Sequence, residues 1–199
     1  MKHITQFACC LVAMFLVACS SSNRLTTVSS NAAKSMVEEW PDMPKQAANM
    51  LISKYGTPDE VTNQVIVWRN KGPFMETKLF RTEIPHDFPM PHTDFLQQTI
   101  SYKVPVGKYD ELARYDGSVI AERTKGTLSA RCDKEELNFL ALNLAHDIVT
   151  GKRTVAEARD QYAKIAMKFK QGGTDPYLQG LQFNVSSEGE ARDRDKPAK

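Results

Sequence analysis

Imidazole, thiol and carboxylate side chains are the groups in this sequence that can ligate a metal or act on a substrate, and they gather around a few positions. His86 and His92 bracket the segment Pro85–Asp94 (PHDFPMPHTD), with Asp87 and Asp94 beside them, while His146 precedes Asp147 and Cys132 precedes Asp133. Two imidazoles and a carboxylate suit zinc or a related transition metal, so His86, His92, Asp94 and His146 are the candidate ligands. The five residues separating His86 from His92 do not match the helical metalloprotease pattern, whose ligands fall four apart on one face. The sequence therefore favours a structural role: the two histidines bond loop carbonyls, Phe88 and Met90 plug the core, and no metal or other cofactor is expected.

Cys132 stands just before an expected helix start, where backbone amides lower a thiol pKa, and a Cys–His nucleophile is conceivable. The adjacent Asp133 charge and an inward strand position shared with Leu128 favour a buried, inert thiol instead. Asp116-Gly117-Ser118 and Arg123-Thr124 offer groups that contact phosphate or carboxylate, but at hairpin ends the same residues are turn formers and surface pairs. No glycine-rich phosphate loop, serine elbow, zinc finger or calcium loop occurs. No catalytic residue is assigned.

The elements that must position these groups are legible in outline. Lys134–Thr150 (KEELNFLALNLAHDIVT) is apolar over more than half its helical circumference, which predicts a central helix packed on two sides. Its polar residues Asn143, His146, Asp147 and Thr150 form one strip. Asp133 with Glu136 reads as a capping box, and Gly151 as the stop. Thr154 and Glu157 form a second capping box that opens an amphipathic helix over Val155–Lys170. Pro44–Tyr55 reads as a helix stopped by Gly56 and Pro58. Strands are expected over Gln64–Arg69 and Met75–Ile84, joined as a hairpin by Asn70-Lys71-Gly72-Pro73, and then over Leu96–Val104, Ser118–Thr124 and Thr127–Cys132. Lys108–Tyr115 suits one or two helical turns, and Leu178–Phe183 a short edge strand. With three prolines, Pro85–Asp94 reads as an irregular loop.

The amino terminus carries an address. Met1-Lys2-His3 is followed by an almost uncharged run, Ile4–Ala18, which is too short to span a bilayer and has the form of a secretory signal peptide. Its end, Leu16-Val17-Ala18-Cys19, resembles the lipobox of bacterial lipoproteins. That resemblance implies diacylglycerol on the Cys19 sulfur, cleavage before Cys19 and acylation of the new amino terminus. Ser20 is not the aspartate that retains such proteins in the inner membrane of enterobacteria, so outer-membrane anchoring with the domain in the periplasm is expected. The Pro44–Tyr55 helix, its Tyr55-Gly56-Thr57-Pro58 stop and the Trp68 strand also resemble the helix-to-sheet passage of small outer-membrane assembly lipoproteins.

The expected division is a signal peptide over residues 1–18, a lipidated flexible tether over 19–35, one globular domain over 36–183, and a disordered polar tail over 184–199. The fold class is α+β: an antiparallel sheet of about five strands built from hairpins, with the central helix and the amphipathic helix on one face. Lys2 leaves with the signal, so 25 basic side chains face 24 acidic ones, a balance that gives no footprint for nucleic acid. Cys9 and Cys10 leave too and Cys19 is lipidated, so Cys132 has no disulfide partner. The function expected is that of an envelope lipoprotein, held to the bilayer through Cys19, whose domain binds envelope proteins or cell wall without catalysis. The alternative is a small periplasmic metal-binding protein or hydrolase using His86, His92 and Asp94.

Overall fold

A computed structural model describes residues 29–195 and Pro197. The expected signal peptide, Cys19 and the tether as far as residue 28 lie outside the described residues. No described helix is long and apolar enough to cross a membrane.

The apolar residues of the central segment form helix α4, reached after helices α1 (Ser30–Val37), α2 (Asp42–Tyr55) and α3 (Tyr109–Tyr115). Helix α4 runs Glu135–Val149, and α5 follows at Val155–Lys170. Leu140, Leu142, Leu144, Ala145 and Ile148 of α4 are fully buried, because the sheet covers one side and α5 another. The Thr154–Glu157 capping box is present with both reciprocal bonds, and Gly151 adopts φ +75° at the α4 stop. The box expected at Asp133 is not formed. Lys134 occupies the N-cap without a side-chain bond, and Glu135 and Glu136 supply first-turn negative charge.

The strands β1 (Glu60–Val61), β2 (Val65–Lys71), β3 (Phe74–His86), β4 (His92–Ser101), β5 (Val119–Glu122) and β6 (Thr127–Cys132) make one antiparallel sheet in the order β1-β2-β3-β4-β6-β5. The fold is α+β as expected, with six strands. The addition is β1, whose two residues are too few to leave a periodic signal. Strand alternation puts Leu96, Gln98 and Ile100 on the face that receives the helices. There Gln98 receives a bond from Asn138 of α4 (3.1 Å) and lies 3.4 Å from the Tyr55 hydroxyl of α2, so two helices meet over one buried amide.

Four boundaries differ from expectation. Pro85–Asp94 is not an irregular loop: β3 and β4 pair through Pro85↔Thr93 to His86↔His92, which leaves residues 87–91 as the turn. Proline fits an extended strand because its fixed φ is compatible, and it forfeits only its own N–H. Leu178–Phe183 is not a strand. It begins in helix α6 (Pro176–Gln179) and continues over α4, where Asn143 bonds the carbonyls of Tyr177 (3.1 Å) and Gly180 (2.8 Å) and accepts from the Gln182 amide (2.7 Å). At the start, Ser30–Ser35 is helical rather than tether, with Ser29 as N-cap and Ala33 buried. Beyond Phe183 the polar tail folds back. Ser186 donates to Ser101 (3.2 Å), and helix α7 (Glu188–Ala191) sets buried Ala191 against Gly126.

Candidate functional site

The hairpin register assembles the site. His86 and His92 are direct cross-strand partners, and Asp94 lies two residues beyond His92, so period-2 alternation places all three side chains on the helix-bearing face. A ligand atom from each lies within 4.8 Å of the other two. Asp94 is the centre: His86 Nδ1 is 3.1 Å from Oδ2 and His92 Nε2 is 3.2 Å from Oδ1. Ser118 also donates its hydroxyl to Oδ2. Although His92 Nε2 lies 3.2 Å away, Oδ1, on a carboxylate only 2% exposed, accepts no hydrogen bond of regular geometry.

Each imidazole has its far nitrogen facing an acceptor. His92 Nδ1 is 2.9 Å from the Met90 carbonyl. A carbonyl only accepts, so Nδ1 keeps its proton, and Nε2 is the nitrogen that can give up a proton and present a lone pair inward. On the other ring, His86 Nε2 lies 3.7 Å from Asp116 Oδ1. The expected histidine-to-carbonyl bond therefore exists for His92, and His86 faces carboxylates instead. Phe88, in the turn with its cis Phe88–Pro89 peptide, packs on Tyr162 (5.2 Å between centroids) beneath the Arg159 guanidinium.

Cys132 enters from β6, opposite Leu96, with Sγ 3.5 Å from His92 Nε2. Thiol and imidazole are thus brought together, but the thiol is 3% exposed and burial pushes its pKa up, which is the wrong direction for a nucleophile. Asp94, followed by Cys132, raises His92 to about 11. Burial pushes the Asp94 carboxyl upward, but the His92 and Ser118 contacts and the histidine charges outweigh it, leaving Asp94 below its ordinary value. Burial raises Asp116. A trough of about 450 Å³ runs alongside, lined by Met90, His92, Leu137, Tyr162, Ala166 and Phe169 among others. His86 and His92 keep 19% and 15% of their side chains accessible, so small ions can reach the centre.

His146 does not join the other candidates. Its Nδ1 is 2.7 Å from the Tyr102 hydroxyl and its ring stacks on Phe183 at 4.1 Å, while Asp147 accepts from Tyr177 (3.0 Å) and pairs with Lys152 and Arg153. The polar strip of α4 is the surface on which the C-terminal segment docks. Asp116 and Ser118, turn formers by their sequence, belong to the site: Ser118 donates to Asp94 and Asp116 faces His86. The sequence also gave no sign of the buried Glu135, which takes bonds from Lys54, Tyr55 and Gln98. Those partners come from distant segments, so the only local signal was a carboxylate at the start of an apolar helix.

Compared with protein-family models, curated proteins and solved structures, the chain matches none.

Proposed function

We propose that this chain is a lipid-anchored protein of the bacterial envelope, held by acyl chains on Cys19 and facing the periplasm from the outer membrane, with a domain that acts as a non-catalytic binding or structural module. The observation that carries the reading is Leu16-Val17-Ala18-Cys19 at the end of an uncharged apolar run, with Ser20 next. Stable anchoring needs more than one chain, since each buried methylene adds about 0.8 kcal/mol, and the lipobox chemistry supplies several on one residue.

The geometry of the domain supports binding over catalysis. Cys132 is buried with a raised thiol pKa, His146 and Asp147 hold the C-terminal segment, and Glu135 joins α2 to α4. His146, Asp147 and Glu135 thus each serve a structural contact.

Cys19→Ser in a Gram-negative host tests the reading. The variant should accumulate as an unprocessed, unlipidated precursor that leaves the detergent phase. Wild-type mobility and detergent partitioning in the variant would end it. The alternative, a metal-binding protein or hydrolase, is favoured by one observation, the convergence of His86, His92 and Asp94.

A further inference from the structure

We infer that His86, His92 and Asp94 form a binding site for a divalent transition-metal ion of the zinc and cobalt class. The inference is independent of the anchor, because it rests on the hairpin register and not on Cys19.

The spacing fits such an ion. Zinc–nitrogen and zinc–oxygen bonds of about 2.0–2.2 Å in a tetrahedron put neighbouring donors about 3.3 Å apart. The distance from His92 Nε2 to Asp94 Oδ1, 3.2 Å, already matches that edge, and His86 Nδ1 lies 3.1 Å from the other carboxylate oxygen, Oδ2. The two edges that reach His86, each at most 4.8 Å, close by less than about 1.5 Å to reach the same value, a change within reach of a partly exposed imidazole.

A buried carboxylate oxygen without a hydrogen bond is a second, separate sign. Buried acceptors are nearly always satisfied, yet Asp94 Oδ1 accepts no regular hydrogen bond and faces only the His92 imidazole, 3.2 Å away. A cation there would satisfy it. Metal-ligating histidines characteristically place their other nitrogen against a carbonyl or carboxylate, which fixes the ring and its tautomer. His92 does so with the Met90 carbonyl, and Asp116 faces the far nitrogen of His86. The ion replaces a proton as the positive charge beside Asp94, so binding releases protons.

Two nitrogens and one oxygen select against magnesium and calcium, which prefer oxygen cages. Three protein ligands leave a position for water or an anion, and His92 also lines the trough, so that fourth ligand enters from there.

The test uses the full chain in detergent, stripped with chelator and dialysed against zinc or cobalt chloride. About one ion per chain should be retained, zinc should raise the melting temperature where magnesium and calcium do not, and cobalt should give the intense visible band of four-coordinate geometry. Asp94→Asn, which keeps the side-chain shape, and His92→Ala should each weaken binding by more than about 100-fold, and Asp116→Asn by about 10-fold through the orientation of His86. If a variant does not fold, the wild-type thermal shift and cobalt spectrum decide alone. No retained ion, no thermal shift and no cobalt band would overturn the inference and leave a purely ion-paired clasp. Stoichiometric binding that survives Asp94→Asn and His92→Ala would overturn it equally, by placing the ion elsewhere.

Discussion

His86 and His92 face each other across the β3–β4 hairpin with ring centroids 4.9 Å apart, and the Asp94 carboxylate reaches both. This relationship joins the end of one strand to the start of the next. Ser118 and Asp116, from the turn between α3 and β5, close it from the neighbouring side. The centre therefore ties separate segments together whether its positive charge is a proton or a metal ion.

Leu144 is fully buried in the middle of α4, whereas Lys164 stands on the outer face of α5 in an exposed pair with Asp160. Leu144→Ala should lower unfolding free energy by about 2–5 kcal/mol, and Lys164→Ala should change it by less than about 0.5 kcal/mol. Denaturant titration checks both. Equal midpoints would mean that α4 is not the centre of the core.

Cys132 should be slow to react in the native state. A thiol reagent is expected to label it slowly in buffer and rapidly in denaturant, because burial both shields the sulfur and disfavours the thiolate. Fast native labelling would restore the Cys132–His92 pair as a nucleophile.

Burial against Tyr102 and Phe183 holds the His146 imidazole below the ordinary histidine range. Between that lowered value and the unfolded value near about 6.5, the unfolded chain binds more protons than the folded one. The contribution of His146 is thus complete above that window and is lost as pH falls through it. His92, raised rather than lowered, acts in the opposite sense in both proteins. His146→Gln should therefore flatten the fall in stability between about pH 7.5 and 5.5 relative to wild type. Parallel profiles would contradict the half-buried, neutral ring.

At Gly126, φ is +68° and an added Cβ would lie 2.3 Å from the Ala191 backbone. Gly126→Ala should destabilise the protein by more than about 1 kcal/mol and expose the chain after Ser187 to protease. An unchanged stability and digestion pattern would show that the carboxyl-terminal segment does not pack there.

Local features were legible and pairings across distance were not. The α4 pattern, the Thr154–Glu157 cap and the Gly151 stop each depend on residues within one turn of each other, and each appears as read. The His86–His92 hairpin was hidden by its prolines, which mimic a loop in sequence although Pro85 sits in a paired strand. Had the five-residue gap been read as a turn, the cross-strand histidines would have followed. Glu135 lies 81 residues from Lys54 and 80 from Tyr55, and no periodicity links them. Composition marks the tail only as polar and does not register a single buried Ala191 meeting a glycine.

The central claim is the anchor, and the mass of the amino-terminal tryptic peptide of the mature protein tests it most directly. The account predicts a peptide that begins at Cys19, ends at Arg24, and carries a diacylglycerol thioether and an acylated amino terminus. A peptide that begins elsewhere, or one with an unmodified Cys19, would contradict it.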